Sequence, residues 1–356
     1  MKRIFVASAA SVLTAFGSLA GSPYISRVLE YKPAPGQFVN TMPEIESTDT
    51  PDQVCAKVLE QIGLAQRPGM ISLGAYGGYV VFGFDHPVVN VRDAFDFKIY
   101  GNAFASGQNT TDGSSEPGIV MVSRDANGNG QADDQWYELA GSEYAAETTL
   151  KHYKITYYKP DSDHVAVPDP ECRQVIDSQY IRWTSSDGTT GYVTRNQYHA
   201  QSYWPEWIRS DRLEFEGTRL APNGYDASGN GAYYAFRMLD WGYADNRPND
   251  DAAYKGFDIG CAVDADGNKV NLPQIDFIKV YTAVNQTNGW VGETSTEICG
   301  AEDLHPDATG EGGIDVISTN ADAADSTPVY DLYGRRVAVP QRGTVYLRAG
   351  RKFIMR

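Results

Sequence analysis

The stretch MISLGAYGGYVVFGFDHPVVNV, residues 70 to 91, contains the pattern that decides the fold. Its two runs of alternating apolar residues have the period of two that is typical of β-strands. The glycine-rich segment LGAYGGY between them supplies residues that adopt turn conformations at little steric cost. The stretch therefore predicts a β-hairpin, and the Gly-rich segment is interpreted as its turn.

Similar short runs continue along the chain at intervals of 8 to 12 residues, separated by turn residues. About a dozen strands are expected, and helices do not alternate with them as they would in parallel βαβ units. This pattern predicts an all-β domain, either a sandwich or a barrel. The runs that carry the prediction include FDFKIYGNAF, GIVMVSRD, YKITYY, YIRWTS, RLEFEGTRL, YYAFRML and IDFIKVYTAV.

A single helix is predicted near the N-terminus, in TPDQVCAKVLEQIGLA, residues 50 to 65. Thr50 is a good N-cap, Pro51 suits the first turn, and Gln53 completes a capping box. The apolar residues Val54, Val58, Leu59 and Ile62 recur at helical spacing and form one face, which we expect to be buried.

The composition indicates an exported, turn-rich protein. The chain has 356 residues with 35 Gly, 18 Pro and 23 Tyr, and its net charge is −16. So acidic a chain is not expected to bind nucleic acid or an anionic membrane, whereas the charge suits cation binding.

The chain divides into four segments. Residues 1–20 have the charged start, apolar run and small-residue cleavage site of a signal peptide. Residues 21–305 form the predicted β-domain. Residues 306–326 contain few large apolar residues and are interpreted as a linker. Residues 327–356 form a small terminal unit with two or three strands.

Four cysteines follow the signal peptide: Cys55, Cys172, Cys261 and Cys299. No C-x-x-C spacing suggests a zinc site, and export permits disulfides. A bridge between Cys261 and Cys299 is one expectation, and free buried thiols are the alternative.

Two resemblances add to this reading. The terminal unit, with VYDLYGRRV, GTVYL and RKFIMR, resembles the C-terminal sorting tails of exported Bacteroidetes proteins. The main body, with GGYVVFGFDHPVVN, DFKIYGNAF, SSEPGIVMVSRDANGNGQADDQWYELAGSEY and GWVGETSTEI, resembles a family of secreted bacterial cell surface proteins. The resemblance implies a jelly-roll-like β-sandwich and a setting among surface components for nutrient uptake, some of them for cobalamin.

The segment SRDANGNGQADDQWYEL, residues 123 to 139, matches much of a calcium-binding loop. Oxygen-bearing side chains fall at alternate positions, and Gly130 falls where such loops turn sharply. Position 12 is Trp136 rather than Glu, so the closing ligand would be Glu138 or a distant carboxylate. The alternative is a hairpin whose side chains cap their own turns. The predicted ligands of a structural calcium ion are Asp125, Asn127, Asn129, Gln131 (through its carbonyl), Asp133 and Asp134.

A second acidic stretch predicts a further metal site at Asp240, Asp245 and Asp250, near one end of the domain. The segment YHAQSYWPEWIRS predicts an aromatic platform for ligand stacking, formed by Tyr198, Tyr203, Trp204 and Trp207, with core packing as the alternative. Trp183, Trp241 and Trp136 are expected in the core.

Catalytic motifs are not found, so the expected function is capture of a ligand rather than its conversion. The five His are scattered, and the chain contains no G-x-S-x-G. Paired carboxylates for glycoside hydrolysis remain an alternative. We expect an exported protein at the cell surface or outside the cell, with the periplasm as an alternative location, that binds a glycan or other nutrient. The alternatives are a cobalamin-binding partner of a TonB-dependent outer-membrane transporter and an adhesion or scaffold module.

Overall fold

The computed structural model describes residues 21–63, 65, 69–107, 109–308, 329–330, 336–337, 345–348 and 351–354. The predicted signal peptide and most of the predicted linker lie outside the described residues. Within them the protein is mostly β, with several antiparallel sheets and one α-helix. The described part of the chain has no helix with the length and apolar character needed to cross a membrane.

The elements follow one another along the chain with short connections. The first group comprises β1 (Arg27–Lys32), α1 (Pro51–Ile62), β2 (Ile71–Ser72), β3 (Tyr79–Gly83), β4 (Val88–Val89), β5 (Phe97–Tyr100), β6 (Phe104–Ser106), β7 (Asn109–Ser114), β8 (Gly118–Ser123) and β9 (Trp136–Leu139). The second comprises β10 (Leu150–Tyr158), β11 (Val175–Ser185), β12 (Thr190–Asn196), β13 (Arg212–Arg219), β14 (Gly224–Asp226), β15 (Tyr234–Arg237), β16 (Ala262–Val263), β17 (Gln274–Ile275), β18 (Phe277–Thr282), β19 (Glu297–Ile298) and β20 (Gly300–Asp303).

A six-stranded antiparallel sheet organises the domain, with the strand order β1-β3-β18-β8-β9-β16. Residues of its central strands are buried on both faces, and they alternate between two hydrophobic clusters. In β18, Ile278 and Val280 enter the first cluster, whereas Tyr281 enters the second. Since successive side chains of a strand point to opposite faces, the sheet separates the two cores.

One core is closed by α1, whose buried residues Val54, Val58 and Ile62 belong to the first cluster. The predicted helix is confirmed in its details, because Thr50 Oγ1 accepts from the Gln53 N–H and Gln53 Oε1 accepts from the Thr50 N–H. The other core is closed by a four-stranded sheet of order β12-β11-β10-β13, which contributes apolar residues from all its strands to the second cluster.

Shorter sheets complete the domain and position the candidate site. A four-stranded sheet has the order β14-β15-β7-β6, and three two-stranded sheets pair β17 with β4, β19 with β2, and β20 with β5. The described terminal strands, β21 (Val329–Tyr330), β22 (Arg336–Val337), β23 (Val345–Arg348) and β24 (Arg351–Ile354), form a further sheet of order β22-β21-β23-β24. The expected terminal unit thus has four short strands.

The disulfide expected between Cys261 and Cys299 is not formed. Cys55, Cys172 and Cys261 carry free thiols. The Sγ of Cys299 lies 3.5 Å from the carbonyl oxygen of Gly101, to which it donates.

Candidate functional site: a cavity with an acidic floor

Three carboxylates from distant parts of the chain meet beside the central sheet. Glu116 lies between β7 and β8, Asp245 follows β15, and Glu297 begins β19. Carboxylate oxygens of the three residues lie within 4.8 Å of one another, which makes this acidic triad a group that could hold a metal ion. Of the three, the sequence prediction named only Asp245.

Main-chain hydrogen bonds join the three segments and fix their register. The Glu116 N–H donates to the Asp245 carbonyl at 2.9 Å, and the Ala244 N–H donates to the Gly118 carbonyl at 2.9 Å. The Ser295 N–H donates to Glu116 Oε1 at 3.2 Å, so the strand that carries Glu297 also orients Glu116. The triad is therefore held by backbone geometry on all sides.

Asp245 is the most firmly positioned member. It is fully buried, and its φ of 50° places it in the left-handed region, which Asp tolerates better than most residues. Its Oδ1 accepts from the N–H groups of Asn102 and Ala103 at 2.7 and 2.9 Å, and its Oδ2 accepts from the Glu297 N–H at 2.9 Å. A Cβ on Gly101 would lie 2.3 Å from Asp245 Oδ1, so only glycine fits beside this carboxylate.

Burial makes the charged forms of these groups costly. It raises the pKa of Glu116 to about 7, and it raises the pKa values of Glu297 and Asp245 well above their usual range, with the neighbouring carboxylates adding to both shifts. Glu116 and Glu297 are hydrogen-bonded to each other through their carboxyl groups, which requires a shared proton. A cation bound among them would favour the ionised forms.

The triad lies at one side of a cavity of about 450 Å³, which we call the acidic cavity. Glu116 and Glu297 line it, whereas Asp245 lies behind them. Among the described residues that line it there is no Lys or Arg, so the carboxylates face no basic side chain except His199, whose pKa is lowered by burial. The other lining residues are Gln37, Phe38, Met42, Met70, Asn102, Ser114, Asn196, Tyr198, Phe236, Trp290, Val291, Glu293 and Ser295.

Glu293 is a fourth carboxylate in this cavity, outside the triad. Its side chain is only 4% exposed, and burial raises its pKa to about 8. Oε1 accepts from the Gln37 N–H at 2.6 Å, but Oε2 is buried without any hydrogen-bond partner. A buried acceptor left unpaired costs about 1–3 kcal/mol, so this atom indicates the direction from which a ligand would donate a hydrogen bond.

An amide network supports the aromatic side of the cavity. Asn196 Nδ2 donates to Gln37 Oε1 at 2.7 Å and to the Trp290 carbonyl at 3.2 Å. The Trp290 ring then meets the ring of Tyr198 edge-on, with centroids 5.8 Å apart. Tyr198 is 57% exposed, so these two rings form a partly open aromatic wall.

The aromatic platform predicted from the sequence is not formed. Tyr203 and Trp204 are completely buried in the second core cluster and cannot offer a ring face to a ligand. Trp207 stacks on Tyr31, with centroids 6.0 Å apart, and packs against the first cluster. Of the four predicted residues, only Tyr198 lines the acidic cavity. In contrast, Trp241, which was expected in the core, is 52% exposed.

The predicted second metal site, Asp240, Asp245 and Asp250, is not assembled as one set. Asp240 and Asp250 are exposed, whereas Asp245 is buried and turns toward Glu116 and Glu297. The acidic stretch therefore contributes a single carboxylate to a site whose other members come from elsewhere.

The predicted calcium loop connects β8 and β9. Asp125 accepts from the N–H groups of Asn129 and Gly130 at 3.0 and 2.8 Å, and Asn129 Oδ1 accepts from the Gln131 N–H at 2.7 Å. Asp133 accepts from the side-chain amides of Asn127 and Asn129 at 3.0 to 3.3 Å.

These contacts are the ones that a self-capped hairpin requires, and they leave the calcium prediction for this loop as a prediction. Asp134 accepts from the Ala126 N–H at 3.1 Å. A distant carboxylate is also close, because Asp276 Oδ2 accepts from the Asp125 N–H at 2.8 Å. Glu138, the other expected closing ligand, instead accepts from Thr218 Oγ1.

Sequence patterns could not find Glu116, Glu293 and Glu297 as site residues, because they are 129 residues or fewer from Asp245 but never close to it in the chain. Their local segments, GSSEPG and GETSTEI, carry no metal-ligand spacing. Comparison of the sequence with known protein families and with curated proteins finds no match.

Proposed function

We propose that the protein is an exported, surface-associated binding protein without catalytic activity, which captures a nutrient molecule in the acidic cavity with the help of a bound calcium ion. The acidic triad at the cavity wall is the observation that carries this proposal. The jelly-roll-like form of the sandwich and the surface location belong to the same proposal and rest on the resemblance described above.

Calcium suits the chemistry and the size of the triad. The three side chains offer only hard oxygen ligands, which favour calcium or magnesium over transition metals. Calcium–oxygen bonds of about 2.3–2.6 Å allow ligand oxygens up to about 5 Å apart across the ion. Oxygens within 4.8 Å of one another fit in that shell.

The positions of the carboxylates support binding rather than glycoside hydrolysis. Hydrolysis needs two carboxyl groups about 5–5.5 Å or about 6.5–9.5 Å apart, on opposite sides of the scissile bond. Glu116 and Glu297 instead bond to each other, which leaves no room for a glycosidic bond between them.

The test is a calcium titration of the chelator-treated protein by calorimetry, with Glu116→Gln as the variant and the exposed Glu206→Gln as its control. Glu116→Gln removes one of three ligand charges, and we expect it to abolish one class of calcium site. Since the β8–β9 loop is also predicted to bind calcium, Asp125→Ala identifies any second class. An isotherm that is the same in the wild type and in Glu116→Gln would refute the proposal.

A further inference from the structure

We infer that the acidic cavity takes a saccharide, and that two neighbouring hydroxyl groups of the sugar complete the coordination of the cation held by the triad. This inference rests on the proposed function. It is carried by three features of the same cavity: the incomplete ligand set, the unpartnered Glu293, and the aromatic wall.

The triad alone leaves most of a calcium shell open. Calcium takes six to eight oxygens, and three carboxylates supply only part of them. Two of these carboxylates, Glu116 and Glu297, face a cavity of about 450 Å³. That volume is far larger than an ion needs and lies in the range of about 300–1,000 Å³ found for small-molecule sites. A ligand with paired oxygens can therefore reach the ion.

Glu293 specifies a hydrogen-bond donor on that ligand. Its buried Oε2 has no partner, while Oε1 is fixed by the Gln37 N–H at 2.6 Å. The unpartnered atom thus cannot turn away without breaking the bond to Gln37. A sugar hydroxyl can donate to Oε2 while its neighbours contact the cation, because hydroxyl groups surround the whole ring.

Trp290 and Tyr198 supply an apolar surface on the same cavity. Both rings line it, and Tyr198 is more than half exposed. The C–H face of a pyranose is flat and apolar, so it buries well against aromatic rings, which provide large contact areas. A sugar therefore presents donors, paired oxygens and an apolar face at once.

An organic amine is the other ligand that would suit carboxylates and aromatic rings. It brings no oxygen to the cation, and its own positive charge would be repelled by the ion. The cation at the triad thus favours a neutral polyol over an amine, and the two ligands predict opposite effects of calcium.

The experiment measures binding of methyl glycosides of mannose, galactose, glucose and fucose by ligand-observed NMR and calorimetry, with calcium or with chelator. The same glycosides with methylated vicinal hydroxyls, and methylammonium chloride, serve as comparison ligands. We expect at least one glycoside to bind only with calcium, and its methylated form not to bind.

The variants separate this inference from the proposed function. Glu293→Gln replaces the acceptor Oε2 by an amide donor, and Trp290→Ala removes part of the aromatic wall. We expect both to weaken glycoside binding by about 5- to 100-fold, as loss of a buried partner implies, while calcium affinity is kept. Trp241→Ala, which removes an exposed ring outside the cavity, should leave both affinities unchanged.

Calcium binding without any glycoside binding would overturn the inference and leave the proposed function in place. Glycoside binding that persists in chelator or in Glu293→Gln would also overturn it, as would methylammonium binding that excludes the sugars. Failure of the protein to bind calcium at the triad would refute both the inference and the proposed function.

Discussion

Replacement of Glu293 by Gln should stabilise the cation-free protein, and the gain should grow with pH. Burial raises the pKa of Glu293 from 4.5 to about 8. One pKa unit corresponds to about 1.36 kcal/mol, so ionised Glu293 costs the folded state at most about 5 kcal/mol.

The direction follows from where the proton binds. Because the folded pKa lies above the unfolded one, the stabilisation by protonation is fully present below pH 4.5 and is lost as pH rises through about 8. Gln carries no charge at any of these pH values, and it keeps an oxygen for the Gln37 N–H. The variant should therefore match the wild type near pH 4.5, gain about 3 kcal/mol by pH 7, and reach its largest gain above pH 8.

The assay is urea denaturation in chelator at several pH values from 5 to 9, which gives the free energy of unfolding of the wild type and of Glu293→Gln. The exposed Glu206→Gln is the control, and its difference from the wild type should stay within about 0.5 kcal/mol throughout. A difference for Glu293→Gln that does not change with pH would show that this carboxylate is not held in its neutral form, and the reasoning would fail.

Three further predictions concern other parts of the protein. Trp204→Ala should lower the free energy of unfolding by about 3 kcal/mol in urea denaturation, the low end for a buried Trp because its unpartnered indole N–H is removed as well, whereas the exposed Trp241→Ala should cost less than about 1 kcal/mol; equal costs would contradict the burial described here. Thr50→Ala should cost about 1 kcal/mol through loss of the helix cap, measured in the same assay, and no loss would mean that the cap bond adds nothing. Asp125→Ala should reduce the rise in melting temperature that calcium produces, and identical melting of the wild-type protein with calcium and with chelator would remove the predicted loop site.

Local patterns in the sequence were sufficient for the helix and for the mostly β architecture. The capping box at Thr50 and Gln53 is a contact between residues three apart, and strand alternation is visible within a few residues. The arrangement of strands into sheets could not be predicted in this way, because β18 pairs with β3 and β8, which lie far from it in the chain.

The site was only partly predictable for the same reason. Asp245 attracted attention because acidic residues surround it, yet those neighbours are exposed and its true partners are Glu116 and Glu297. The aromatic segment was misread because Trp204 has the same sequence signature whether it lies on a surface or in a core. Only the fold decides that Trp204 is buried while Trp290, in an unremarkable segment, lines the cavity.

The bond between the Gln37 N–H and Glu293 spans 256 residues. Closure of so long a loop costs conformational entropy before any contact compensates it, and folds rich in such contacts form slowly. The cavity therefore has no precursor in any shorter fragment: a chain that ends before residue 293 lacks its wall, and a chain that begins after residue 37 lacks the donor that orients Glu293. For a chain that is exported before it folds, ligand binding becomes possible only after nearly the whole domain has emerged and closed.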